Sequence, residues 1–176
     1  MQEFAISELK STPENRASLS DLLMETVSSG GSVSFMHPLE PEQADAFWDA
    51  SLRWAEQGER VVLGAWDGEM LIGTVTLLLG CPPNQPHRAE IAKMMTRVDY
   101  RGRGVATALM RAAESIAVRR ARTLLVLDTA EDGGASSLYE RLGFTLAGII
   151  PDYAFKPHGG LTGTMIYWKR IGTRLA

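Results

Sequence analysis

Hydrophobic and polar positions divide the chain into one continuous series of predicted strands and helices. Residues 3–9 alternate as in a strand that is buried on one face. Ser11 or Thr12 then precedes Pro13, an order typical of a helix cap followed by proline in the first turn. This start predicts a helix that ends at about Ser28.

A second helix should follow a loop rich in glycine and serine. It is expected to begin at Pro41 and to continue until Gly58, because glycine commonly ends helices. Apolar residues recur within this segment at steps of three and four positions, which places them on one helix face. That face is expected to lie in the core and contains Ala44, Phe47, Trp48, Leu52 and Ala55.

Two apolar, β-rich segments come next and are separated by Asp67 and Gly68. An Asp-Gly pair in this position is a strong hairpin signal, so the two segments are predicted to pair antiparallel. The two hairpin strands are predicted at 60–66 and 70–79. The later elements are predicted as strand 89–98, a helix to about Arg120, strand 123–129, helix 135–142, and strands 144–150 and 162–170.

This order predicts an α/β fold with one domain over residues 1–176. Its core element should be a mixed central β-sheet of about seven strands flanked by about four helices. No internal repeat and no linker-like segment interrupts the series. The length and the 45% hydrophobic content are sufficient for one core.

Charge and cysteine content narrow the possible partners and the location. A net charge of -3 gives no bulk attraction to nucleic acid or to an anionic membrane, so neither partner is expected. Cys81 is the only cysteine, which excludes an intramolecular disulfide and fits a reducing compartment. No apolar segment approaches the roughly 18 residues that a membrane span requires. We therefore expect a cytoplasmic protein.

The segment that leads into the third helix carries the first chemical signal. It contains Arg101, Gly102, Arg103 and Gly104 directly before the predicted helix start. Free backbone amides and the helix dipole favour an anion at such a place, and glycine lets the backbone approach it closely. A phosphate site is one interpretation of this segment. An ordinary tight turn with solvated arginines is the other.

Two common phosphate motifs do not fit the segment. A Walker loop ends in Gly-Lys-Ser/Thr, and the chain contains no such tripeptide. A dinucleotide fingerprint needs a third glycine where Thr107 stands, and an acidic residue about 20 positions further on, where Leu124 and Leu125 stand. Both interpretations are therefore excluded.

The segment instead resembles the signature of the GNAT superfamily of acyl-CoA N-acyltransferases. That signature is Gln/Arg-x-x-Gly-x-Gly/Ala, and Arg101, Gly104 and Ala106 match it in register. The later sequence LYERLGF, with Tyr139, looks like the second motif of the family. The resemblance implies a bound acetyl-CoA. Its pyrophosphate and pantetheine arm are expected along Met94, Met95, Thr96, Arg101, Gly102, Arg103, Gly104, Val105, Ala106 and Thr107.

Acetyl transfer to an amine needs a group that removes a proton and a group that protonates the departing sulfur. With the resemblance, Tyr139 is the expected acid, because a phenol is neutral at pH 7 and can donate; without it, simple core packing would explain this residue. The base candidates are Glu90, at the start of a strand, and Asp128, at the end of one. Each residue also has a purely structural explanation: Asp128 could cap the loop that follows it, and Glu90 could be an ordinary solvated charge.

One position departs from the family pattern. Many members carry an asparagine seven residues before the tyrosine, where this chain has Asp132, which accepts hydrogen bonds but cannot donate when ionised. The first interhelix loop, SSGGSVSFM, and the tail PDYAFKPHGG look similar to the tabtoxin-resistance acetyltransferases. By that resemblance, this loop and the loop with Tyr153, Phe155 and His158 would close over the acceptor.

The sequence therefore predicts an N-acetyltransferase that moves the acetyl group of acetyl-CoA directly to the amine of a small molecule. The acceptor would be an amino-acid-like metabolite or a toxin such as a tabtoxin-like β-lactam, and a resistance role is one expectation. A peptide or protein N-acetyltransferase and a non-catalytic acyl-CoA sensor stay open as alternatives. The histidines lack metal-ligand spacing, so no metal site is predicted. Trp168 leaves a homodimer open.

Overall fold

A computed structural model describes residues 4–172 of the chain. No helix in this range is long and apolar enough to cross a membrane. Residues 98–100 form a short 3₁₀ turn ahead of the third helix. The elements in chain order are β1 (Ala5–Glu8), α1 (Pro13–Ser28), α2 (Pro41–Glu56), β2 (Arg60–Asp67), β3 (Met70–Leu78), β4 (Arg88–Thr96), α3 (Val105–Arg119), β5 (Leu124–Ala130), α4 (Ser136–Arg141), β6 (Thr145–Phe155) and β7 (Leu161–Arg170).

The strands form a single seven-stranded sheet in the order β1-β2-β3-β4-β5-β7-β6. Only β4 and β5 pair in parallel, and every other neighbouring pair is antiparallel. The predicted hairpin at Asp67 and Gly68 joins β2 to β3. The predicted fold class, a mixed sheet of seven strands with four helices, is thereby confirmed.

Helices cover both faces of the sheet, because alternate strand residues are apolar on both sides. Val61 and Leu63 of β2 join the cluster beneath α3, whereas Val62 between them joins the cluster beneath α1 and α2. The face predicted for the second helix packs into that second cluster, where Trp48 and Leu52 are buried. The Thr12 hydroxyl caps α1 by accepting from the Asn15 amide at 3.2 Å.

The sixth strand is longer than the sequence predicts. Residues 144–150 are expected as the strand, with a loop after them, but β6 continues to Phe155, and Ala154 and Phe155 pair with β7 again after Ile150. Two register shifts, the second between Ile150 and Ala154, take up the extra residues. Pro151 suggests a loop in the sequence, yet an edge strand tolerates proline because one side of its backbone has no strand partner. Tyr153 and Phe155 therefore lie on a strand.

Candidate active site

The parallel strands β4 and β5 separate in the middle of the sheet. They pair only from Arg88 to Ile91 on β4 and from Leu124 to Leu127 on β5. Both strands then continue, β4 to Thr96 and β5 to Ala130. Ligands in open α/β sheets bind beyond the carboxyl ends of parallel strands, and this separation opens the sheet at that end.

The N-terminus of α3 lies at the same end of the sheet. Gly102 and Gly104 both have positive φ angles, 74° and 85°, and a Cβ on either would meet no atom within 4 Å. The first helical hydrogen bond runs from the Ala108 amide to the Gly104 carbonyl at 3.0 Å. The amides of residues 105–107 therefore precede the helical ladder and point out of the helix end. This geometry fits an anion that approaches the glycine loop.

A groove of about 690 Å³ connects the helix start to the gap between the strands. Its other wall comes from the loop after α1 and from α4. Nine of the ten predicted cofactor residues line it: Met94, Met95, Thr96, Arg101, Gly102, Gly104, Val105, Ala106 and Thr107. The tenth, Arg103, is absent from the lining and holds its guanidinium over the Tyr100 ring, 5.0 Å from the centroid.

A second, smaller cavity of about 240 Å³ adjoins this groove. The two share six lining residues, Ser32, Val33, Met94, Thr129, Ala130 and Tyr139. Both segments that were expected over the acceptor contribute to it, since Ser34 comes from the loop after α1 and Tyr153 and Phe155 come from β6. Because Tyr139 borders both spaces, its phenol lies at their junction.

Tyr139 is held rigidly at this junction. Only 5% of the residue is exposed, and its ring packs against those of Phe144 and Tyr167. Burial and, to a smaller extent, the negative charge of Asp128 raise the pKa of Tyr139 to about 12, although a hydrogen bond with Thr129 acts in the opposite direction. The phenol therefore retains its proton at neutral pH, as a proton donor must.

The two candidate carboxylates occupy different surroundings. Asp128 lines the smaller cavity and accepts a hydrogen bond from the Thr164 hydroxyl at 3.3 Å. Glu90 lines neither cavity and pairs with Arg88 at 3.1 Å. Glu90 stands opposite Val126 in the sheet, so Asp128 is two residues further along the same face. That spacing corresponds to about 6.6 Å along the strand. The structure thus places Tyr139 and Asp128 in the wall of one cavity, whereas Glu90 lies outside both cavities.

Lys93 is a cavity residue that the sequence analysis did not select. It lies on β4, where three residue steps on β4 oppose two on β3, and its φ angle is 50°. Such a bulge redirects a side chain, and here Lys93 lines the smaller cavity and donates to Ser34, another residue of its wall. A single charge inside an apolar strand was the signal available in the sequence.

Asp132 and His158 tie the surrounding loops together. Asp132 accepts hydrogen bonds from the Thr162 hydroxyl at 2.9 Å and from the Lys156 ammonium at 3.1 Å. These two bonds hold the pKa of Asp132 below its usual value. His158 does not line the cavity expected for it. Its Nε2 lies 2.9 Å from the Ser28 carbonyl oxygen, and its ring contacts that of His37 at a tilt of 46°.

Comparison with known protein families identifies the family of this chain. The sequence model of the acetyltransferase (GNAT) family matches residues 19–144, which include the glycine loop, both cavities' shared residues and Tyr139. The chain belongs to the acetyltransferase (GNAT) family. The GNAT resemblance drawn from the sequence is thereby confirmed, and the protein is an acetyltransferase of this family.

Individual GNAT relatives share the fold across most of the chain. yncA from Salmonella typhimurium, solved with its cofactor acetyl-CoA, has a TM-score of 0.80 at 15% identity and covers 99% of this chain and 97% of its own. An aminoglycoside 6'-N-acetyltransferase complexed with coenzyme A has a TM-score of 0.74 at 18% identity and covers 98% and 99%.

A curated relative points to a different kind of acceptor. N-alpha-acetyltransferase 30 of Schizosaccharomyces pombe is 36% identical over 81 residues. The match covers 46% of this chain and about half, 54%, of the length of that relative. The chain is therefore similar in fold to an aminoglycoside acetyltransferase and, over part of its sequence, to an N-alpha-acetyltransferase.

Proposed function

We propose that the protein transfers the acetyl group of acetyl-CoA directly to the amine of a small molecule. The observation that carries this proposal is the junction of the two cavities at Tyr139. The larger groove has the glycine loop and helix start that suit a pyrophosphate, and the smaller one has a carboxylate that suits an amine. Donor and acceptor would meet beside the buried phenol.

Acetyl-CoA supplies the reactive thioester, and the larger groove has the groups to hold it. The amides of residues 105–107 and the Arg101 guanidinium suit the pyrophosphate. The pantetheine arm suits the stretch from Met94 to Thr96, where β4 has left β5. A backbone amide of this stretch could polarise the thioester carbonyl. The similar structure of yncA from Salmonella typhimurium contains acetyl-CoA, which supports this choice of donor.

Asp128 and Tyr139 divide the proton transfers between them. The acceptor amine arrives as an ammonium ion, and Asp128 removes its proton directly or through water. The free amine forms the new C–N bond as the C–S bond breaks, and Tyr139 donates its proton to the departing thiolate. The acylated nitrogen then loses its extra proton, which restores the phenol directly or through water. The two groups are placed for these roles, since Asp128 is an exposed residue of the cavity wall and the buried Tyr139 keeps its proton at neutral pH.

The small cavity favours a small acceptor over a peptide. Its volume of about 240 Å³ lies below the range of about 300–1,000 Å³ typical of sites for drug-sized ligands. Tyr153 and Phe155 on β6 and the loop with Ser34 form its walls. An amino-acid-like metabolite or a β-lactam toxin of the tabtoxin type suits this size, and the latter would make the enzyme a resistance factor.

A panel of acceptors tests the proposal. Release of CoA from acetyl-CoA is measured with free amino acids, polyamines, aminoglycosides and short peptides with a free N-terminus. We expect turnover with one class of small amine and little with the peptides. Preferred turnover of peptides would instead support the second candidate, N-terminal protein acetylation, which the Schizosaccharomyces pombe relative favours. Acetyl-CoA binding without turnover of any amine would indicate a sensor.

We also propose that two copies associate along β6. This edge strand exposes Leu146, Ile149, Ile150, Tyr153 and Phe155. Long apolar edge strands are normally covered in native proteins. Sedimentation equilibrium would show a dimer that is lost in Ile149→Lys, and a monomer at all concentrations would contradict this proposal.

A further inference from the structure

Lys93 has few partners for a charge inside a cavity. Its ammonium donates to the Ser34 hydroxyl at 3.1 Å and lies 5.5 Å from the centroid of the Phe47 ring. None of the ion pairs among residues 4–172 includes Lys93. A hydroxyl and an aromatic face compensate a charge less well than a carboxylate does.

The backbone places this side chain in the cavity at a conformational cost. Lys93 and Ser34 both have positive φ angles, 50° and 73°, a region that residues other than glycine rarely adopt. The two strained residues come from different elements and are hydrogen-bonded to each other at the cavity wall. Backbone strain of this kind is concentrated at functional sites.

The cavity also has opposite charges on opposite strands. Lys93 lies on β4 and Asp128 on β5, at the level where the two strands no longer pair. Burial lowers the pKa of Lys93, and the negative charge of Asp128 acts in the opposite direction. The cavity therefore presents one cationic and one anionic group to any molecule that enters it.

We infer that Lys93 binds a carboxylate of the acceptor, so that the enzyme selects molecules with a carboxylate beside the reacting amine. Such a zwitterion would direct its ammonium to Asp128 and its carboxylate to Lys93. The inference rests on the proposed function, because it assumes that the smaller cavity holds the acceptor. Lys93 would determine specificity, while Asp128 and Tyr139 would move the protons.

Paired acceptors and a conservative variant test this role. Each L-amino acid of the panel is compared with its primary amide, which replaces the carboxylate by an uncharged group. The ratio of kcat/KM for acid over amide is measured in wild type and in Lys93→Met. Because the ratios are compared between enzymes, the different basicity of the two amines cancels. Methionine is unbranched, is one atom shorter than lysine and carries no charge, and as a residue with a Cβ it meets the same backbone strain at this position.

We expect the acid-over-amide ratio to fall about tenfold or more in Lys93→Met, mainly through KM, as for loss of a hydrogen bond between charged groups. Lys93→Arg should retain part of the ratio. Lys10→Met, the same change at an exposed residue between β1 and α1, should behave as wild type. An unchanged ratio overturns the inference, including the case in which Lys93→Met slows acid and amide equally.

A binding measurement separates this inference from the proposed function. Calorimetric titration of amino acids and their amides into the enzyme saturated with CoA needs no turnover. Wild type should bind acids more tightly than amides, and Lys93→Met should lose the difference. If no amine is acetylated but this preference is found, the proposed function fails and the role of Lys93 holds. If amines are acetylated but no preference exists, or no acid binds, the role of Lys93 fails. Lys93→Gln replaces the methionine variant if that protein does not fold.

Discussion

The larger groove, proposed for the donor, and the smaller cavity, proposed for the acceptor, share six lining residues but differ in the groups that would bind a ligand. The groove relies on backbone groups, namely the amides at the start of α3 and the two left-handed glycines before it. These groups come from one continuous segment of sequence. The cavity relies on side chains from β4, β5, β6 and the loop after α1, which only the fold brings together.

This difference explains how one fold serves many acceptors. A backbone site constrains a few local residues, and it can be retained while distant side chains change. The relatives of this chain include enzymes as different as an aminoglycoside 6'-N-acetyltransferase and N-alpha-acetyltransferase 30. Variants that affect one of the two spaces and spare the other test whether they are functionally separate.

Tyr139→Phe should have the largest effect, because the phenol borders both spaces. We expect kcat to fall about 100-fold through loss of the general acid, with KM for acetyl-CoA unchanged. Phenylalanine keeps the ring contacts with Phe144 and Tyr167. Tyr167→Phe is the matched control, since that buried hydroxyl bonds to Glu140 and lines neither cavity. An undiminished kcat in Tyr139→Phe would remove the phenol from the mechanism.

The two carboxylates should differ in a second comparison. Asp128→Asn is expected to lower kcat/KM for the acceptor about tenfold or more, because asparagine cannot take up the proton. Glu90→Gln should stay within about twofold of wild type, since Glu90 is occupied by Arg88 outside the cavity and surface pairs contribute little. Steady-state kinetics with the best acceptor measures both. A larger loss in Glu90→Gln than in Asp128→Asn would reverse the assignment.

The residues of the larger groove can be predicted from the sequence more fully than those of the smaller cavity. Strand order, hairpin and helix starts follow from local patterns, and the glycine loop is a contiguous motif. Lys93 could not be assigned in this way, because its direction depends on a bulge that arises only when β4 pairs with β3. The sequence leaves both Glu90 and Asp128 as base candidates for a similar reason: strand register separates them, and register is not local.

Gly104→Ala should weaken the donor side alone. Alanine at this left-handed position costs about 1–2 kcal/mol of stability and adds a methyl group where the anion would approach. We expect acetyl-CoA affinity to fall about tenfold, measured by calorimetry. Gly58→Ala is the matched control, because Gly58 has a similar φ angle of 78° and equally open surroundings but lies after α2, away from both cavities. The control should lose stability without losing affinity, and equal affinity losses would refute the pyrophosphate site.

The pKa of Tyr139 predicts a smaller effect on stability at alkaline pH. The pKa rises from 10 in the unfolded chain to about 12 in the folded protein, so the folded state holds more protons between these values. The contribution of the Tyr139 phenol to the free energy of unfolding is therefore complete below pH 10 and is lost as the pH rises through 12. About 1 kcal/mol of it is lost between pH 10 and 11. Urea unfolding at these two pH values should show that the free energy of unfolding of wild type, relative to that of Tyr139→Phe, falls by this amount. If this difference in the free energy of unfolding did not change with pH, the phenol would not be desolvated. There would then be no reason to expect Tyr139 to keep its proton at the alkaline pH at which the acceptor amine has lost its own.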